Sequence, residues 1–198
     1  MKSNKTKMLK NLRMLCVSAI MLALATVLSL VKIWQFPWGG SITLGAMLPI
    51  AIVAICYGTG NGLFTAFLFS CIQLFLSLGE IMSWGLTTEM LIGTIILDYI
   101  LPYTLIGLSG LFAGKGNKGK ICGTVFAILL RYASHVVSGV VLWHSAGMLW
   151  EGLNIENEWL YSLAYNACYM LPEMIITVVL AWLIVNNKPF MRSISKNS

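Results

Sequence analysis

The sequence predicts an all-α integral membrane protein, six transmembrane helices in one bundle. Three observations predict it: 58% of the residues are hydrophobic, only 10% are charged, and the apolar residues gather in long runs broken by charge, Gly and Pro. A mean hydropathy of +0.83 far exceeds what a soluble core of 198 residues requires. No hydrophilic stretch is long enough to bury a core of its own, so residues 1–198 are read as a single membrane domain. The period-two alternation of a membrane β-barrel is missing.

The runs are residues 12–31, 42–57, 63–78, 90–112, 121–145 and 159–185. A spanning helix takes about 20 residues and at least about 17, so the second and third, joined through Gly58-Thr59-Gly60-Asn61-Gly62, are barely long enough. A re-entrant hairpin there returns the chain to the same face as two crossings would. The first run contains Ala23-Leu24-Ala25, which resembles a signal-peptidase site. It continues to Val31, too long for an ordinary signal core, and is expected to stay as a helix.

All but Lys32 and Arg131 of the 13 Lys and Arg fall in the N-terminal segment, in the loop carrying Lys115, Lys118 and Lys120, or at the C-terminus. The positive-inside rule then places both termini in the cytoplasm of a multi-pass cell-membrane protein. Glu80, Glu89, Glu151, Glu156 and Glu158 fall in or beside the outer loops. The net charge of +6 thus reflects orientation in a lipid bilayer and implies no nucleic-acid partner.

Several chemistries are excluded. Cys16, Cys56, Cys71, Cys122 and Cys168 share no metal-binding spacing and read as packing residues, so neither a disulfide nor a metal site is expected. Residues 114–120 have the spacing of a phosphate-binding loop, but Ile121 stands where magnesium needs Ser or Thr, and an apolar helix precedes the loop instead of a strand. No cofactor and no ATPase machinery is implied. With His135 and His144 as the two histidines and no nucleophile–base pair, an enzyme is disfavoured.

Trp34, Trp38, Trp84, Trp143, Trp150 and Trp159 all fall on the outer side, with Trp182 alone near the inner one. Interfacial belts use both faces, so the crowding points to an outward-facing pocket for a small ring-bearing or cationic solute. Beneath these rings, Asp98, His135 and Asn166 lie nine, ten and seven residues from the outer ends of their helices, at Glu89, Ser145 and Trp159. At about 1.5 Å per residue they share one layer roughly 10–15 Å deep. A charged Asp98 cannot face lipid cheaply. His135, Gly139 and Trp143 fall on one helical face with a glycine gap in which a ring could sit, and Asn166, Tyr169 and Glu173 form another stripe. Arg131 and Glu173 make a deeper layer where they could pair as a brace.

Leu97-Asp98-Tyr99, Arg131-Tyr132 with His135 and Trp143, and the run from Tyr161 to Asn166 resemble the thiamine-specific substrate-binding (S) components of energy-coupling-factor (ECF) vitamin transporters. The likeness covers essentially the full chain. It includes Gly39-Gly40-Ser41 leading to Met47-Leu48-Pro49-Ile50, and Ala19 and Ala23 on the first helix. It implies an S component that captures thiamine from outside and delivers it inward when docked on a coupling transmembrane subunit and two ATPases. It also implies binding positions Asp98, Tyr99, His135, Trp143, Tyr161 and Asn166, with Trp38 or Trp34 from the first outer loop and Arg131 below, and docking through Ala19 and Ala23. Asp98 and Arg131 depart from the Glu and Lys of a family representative. The shorter acid calls for a closer backbone or an intervening water. An S component for another vitamin and an ion-coupled carrier are the competing readings.

Overall fold

A computed structural model describes residues 2–36, 39–150 and 153–195. Helix α1 (Lys2–Leu30) is followed by a hairpin of β1 (Lys32–Gln35) and β2 (Ser41–Thr43), then α2 (Met47–Tyr57) and α3 (Thr59–Ser83). The next helical stretch runs as α4 (Thr88–Thr94), a π turn (Ile95–Ile100), α5 (Leu101–Leu105) and a 3-10 turn (Ile106–Gly110). It leads into α6 (Gly116–Val141), a hairpin of β3 (Gly147–Trp150) and β4 (Leu153–Ile155), α7 (Glu158–Asn186) and α8 (Lys188–Ile194).

Four stretches among the described residues are long and apolar enough to cross a bilayer: Lys7–Leu30, Thr59–Ser83, Thr88–Val141 and Glu158–Asn186. The third has 54 residues, about 80 Å if straight, well over twice the ~30 Å hydrocarbon thickness. It doubles back near Gly116, whose φ of +74° suits a residue without a Cβ, and α5 and the 3-10 turn pack on α6.

The run expected as a helix over 42–57 differs. Its first residues pair as β2, and the helix that follows has 11 residues, every one buried except Cys56. Apolar on all sides, α2 is a core helix enclosed by its neighbours and too short to span. Only Gly58, with φ of +89°, separates it from α3, so the glycines at 60 and 62 lie inside α3. Gly62 lets α3 touch the backbone of both α2 and the 3-10 turn.

The main core joins Ala25 of α1, Met47 and Ile50 of α2, Phe69 of α3, Ile106, Ile128 of α6 and Met170 of α7. Helix α1 is peripheral: Leu12, Leu15, Ile20, Leu24 and Val27 are exposed, while Gln73 of α3 donates to Ser29 at 2.8 Å. Arg13 donates to the Ser193 carbonyl and Tyr57 to that of Ile194 (2.6 Å), which brings the start of α1 and the end of the chain to the same end of the bundle.

Candidate functional site

The site begins with a proline. In a regular α-helix the N–H of residue 102 would bond to the carbonyl of Asp98, but Pro102 has none. The chain widens into the π turn, and the Leu101 N–H reaches back five residues to the Ile96 carbonyl. That leaves the Leu97 carbonyl outside the helical ladder, and Ser134 of α6 donates to it at 2.8 Å. Single π turns of this kind recur at functional sites because they re-aim a side chain.

Here the re-aimed side chain is Asp98, whose carboxylate faces α6 and accepts three bonds. Ser138 Oγ donates at 2.7 Å and Trp143 Nε1 at 3.3 Å to Oδ2, and His135 Nδ1 lies 3.3 Å from Oδ1. An ionised carboxylate only accepts, so Nδ1 carries the hydrogen. His135 Nε2 is then left buried without a partner. The Asp98 and His135 side chains are 19% and 11% exposed. Among the described residues, the pairs within 4.0 Å between a basic group and a carboxylate are His135–Asp98 and His144–Glu158. Among the described residues no Lys or Arg lies within 4.0 Å of the Asp98 carboxylate.

Aromatic rings extend from both partners of this acid. Trp143 meets Trp84 edge-to-face at 5.5 Å. On α7, Tyr161 lies parallel to Tyr165 at 6.1 Å, Tyr165 meets Tyr169 at 6.3 Å, and the Tyr169 ring lies 6.2 Å from His135. Asn166 completes the link: its Oδ1 accepts the Tyr169 hydroxyl, and its amide donates to Ser162 O at 2.9 Å, Ser162 Oγ at 3.2 Å and His135 O at 3.5 Å.

Of the residues expected from sequence, His135 and Trp143 thus both contact Asp98, while Asn166 reaches the His135 carbonyl and Tyr161 stacks farther along α7. Tyr99 takes no part in the contacts made by Asp98. Trp34 is 63% exposed and lines an open apolar groove of about 480 Å³ with Ile33, Phe36, Ile42 and Cys168, a lining that does not include Asp98. Trp38 lies outside the described residues.

Three expectations are corrected. Trp143 is not on the helical face of His135, because α6 ends at Val141; it returns to Asp98 from the following turn. The glycine gap at Gly139 is filled by Ser162, which occupies the place a Cβ would take, so it admits α7 and no ring. Arg131 and Glu173 do not pair within 4.0 Å. The Arg131 guanidinium stacks on Tyr103 at 4.2 Å, and the Glu173 carboxylate accepts the Thr43 hydroxyl. Ser134 and Ser138 were passed over by sequence reasoning. Their signal is two hydroxyls four residues apart, flanking His135 in an apolar helix.

The thiamine transporter protein family (Thia_YuaJ) matches residues 15–193. Thiamine transporter ThiT of Bacillus subtilis (strain 168) is 33% identical over 185 residues, spanning 86% of this chain and 89% of that protein. Thiamine transporter ThiT of Lacticaseibacillus paracasei is 29% identical over 155 residues, 72% of each. The solved structure of ThiT from Listeria monocytogenes shares the fold, with a TM-score of 0.68 at 24% identity over 92% of this chain and 98% of that one. This chain is therefore a member of the thiamine transporter protein family.

Proposed function

We propose that the chain is the thiamine-binding S component of an ECF-type transporter of the cell membrane. Both termini lie in the cytoplasm, and the Asp98 site opens outward. The observation that carries this reading is a carboxylate inside an apolar bundle with no Lys or Arg of the described residues within 4.0 Å. Such a group is costly unless a positive charge arrives, and thiamine brings a thiazolium cation.

In this reading Asp98 opposes that cation, and the indole of Trp143 supplies a π face beside it. His135 Nε2 gains the partner it lacks in a polar edge of the aminopyrimidine, with Asn166 and Tyr161 completing recognition. The 3.3 Å bonds from His135 and Trp143 are the long ones and can yield to a ligand, while Ser138 keeps the acid in place. Arg131 supports the site from below. ATP is hydrolysed by the ATPase partners, and α1 meets the coupling subunit through Ala19 and Ala23.

The test is a thiamine titration of detergent-purified protein followed by tryptophan fluorescence. Saturable quenching is expected, with affinity lowered at least about tenfold by Asp98→Asn, the order of magnitude of a lost charge-assisted bond. Trp143→Ala should also weaken binding. Full affinity in both variants would remove the assignment.

A further inference from the structure

Glu173 is 2% exposed inside the bundle and has no part in the recognition of thiamine described above. Its carboxylate accepts the hydroxyl of Thr43, whose oxygen in turn accepts the Ala46 N–H at 3.3 Å. Thr43 is the last residue of β2 and is itself buried. The acid therefore grips the point where the first hairpin joins α2.

Two further contacts follow at one-turn intervals along α7. The Tyr169 ring lies where a Cβ on Gly40 would sit, and the Tyr165 hydroxyl donates to the Gly39 carbonyl at 2.9 Å. Residues 165, 169 and 173 share one helical face by their spacing of four. Phe36, 7% exposed, packs between the rings of Tyr165 at 6.0 Å and Tyr169 at 5.9 Å. This stripe is a seat for the hairpin, and Tyr169 also touches the site through Asn166 and His135.

We propose that Glu173 is a positioning residue: acting through Thr43, it holds the β1–β2 hairpin on the Tyr165–Tyr169 face of α7, and the seated hairpin keeps a ligand on His135 and Asn166. The link to ligand retention rests on the thiamine reading, whereas the anchor itself does not. The chemistry is a hydroxyl donor held by a buried acceptor in surroundings without competing water, where one such bond has a large effect.

The test uses Thr43→Val, which keeps the shape and removes both the donor to Glu173 and the acceptor of the Ala46 N–H, and Thr43→Ser, which restores both. Glu173→Leu removes only the bond to Glu173 and should accelerate hairpin exchange as Thr43→Val does. In the full-length, ligand-free protein, amide hydrogen exchange in β1 and β2 should accelerate on the order of tenfold in Thr43→Val. Exchange in the middle of α7 should stay at wild-type rates. Stopped-flow fluorescence should show thiamine release on the order of tenfold faster, with association within about twofold. Thr43→Ser should return both rates toward wild type. Glu173→Gln keeps an acceptor and should resemble wild type in exchange. Thr43→Ala serves if Thr43→Val does not fold.

Unchanged hairpin exchange in the variant lacking the donor would overturn the anchor, as would an equal acceleration in Thr43→Ser. Faster hairpin exchange with unaltered release would overturn the link to the ligand. A wild-type protein that binds no thiamine would sink the transport reading instead, with hairpin exchange still deciding the anchor.

Discussion

Ser138 donates to Asp98 across 2.7 Å, the shortest of the three contacts that carboxylate makes, and Ser138 is itself fully buried. Because Oδ2 is held against α6 by a fully buried hydroxyl, the direction of the acid is set by the protein itself. Such preorganisation lowers the cost of binding. Ser138→Ala is expected to cost about 1.5–3 kcal/mol of thiamine binding, the range for a bond to a charged group, or roughly 10- to 150-fold in Kd. Isothermal titration calorimetry on purified protein measures it. An unchanged Kd would mean that the serine does not orient the acid.

Trp143 combines two contacts that substitution can separate: its N–H bonds to Asp98, and its ring meets Trp84. Trp143→Phe removes the first and keeps an aromatic face. It is expected to cost about 0.5–1.5 kcal/mol of binding for the lost bond. Trp143→Ala, losing the ring as well, should cost more by a similar amount, the usual worth of an aromatic contact. Equal losses in the two variants would show that the ring face contributes nothing.

Helices α6 and α7 touch closely at Gly139, where a Cβ would fall on the hydroxyl of Ser162. Ser162 is committed to the Val136 carbonyl at 2.9 Å and to Asn166, so it cannot move aside freely. Gly139→Ala should destabilise by about 1–3 kcal/mol through overpacking. Gly79, in the interior of α3 with nothing within 4 Å of its absent side chain, is the control. Gly79→Ala should stabilise by about 0.5–1 kcal/mol through helix propensity alone. Thermal unfolding in detergent should move in opposite directions for the two, and a common direction would refute the packing argument.

Gly139 also shows where sequence reading stops. Its place between His135 and the end of the helix was legible from spacing, but the atom that fills the space comes from α7, and periodicity along one helix carries no information about its neighbour. The shared depth of Asp98, His135 and Asn166 was legible because helical rise is constant. The partners of Asp98 were less so: Ser138 looked like one more small residue, and Trp143 returns to the acid only because α6 stops early. The π turn was hidden because Ile95, Ile96, Leu97 and Ile100 offer apolar side chains to either period. The Thr43–Glu173 contact joins residues 130 positions apart, and nothing local to either announces the other.

The outer face of α1 makes the last prediction. Ala19 and Ala23 are exposed, one turn apart, on a helix whose Ile20, Leu24 and Val27 also point away from the bundle. Two small side chains at this spacing let another helix approach to backbone distance. Leucines at both positions would block that approach while touching nothing in the Asp98 cluster, since the contact of α1 with the bundle runs through buried Ala25 and Ser29 on its other face. The double variant Ala19→Leu/Ala23→Leu is therefore expected to bind thiamine within about twofold of wild type, because lipid-facing apolar swaps leave buried contacts intact. ATP-driven thiamine uptake in vesicles containing the coupling subunit and both ATPases should fall at least about tenfold, the effect of losing close helix packing worth about 1.4 kcal/mol or more. Uptake at wild-type rates would move the docking face off α1. Weakened binding in the purified variant would mean that α1 supports the site from behind and does not serve as a separate coupling surface.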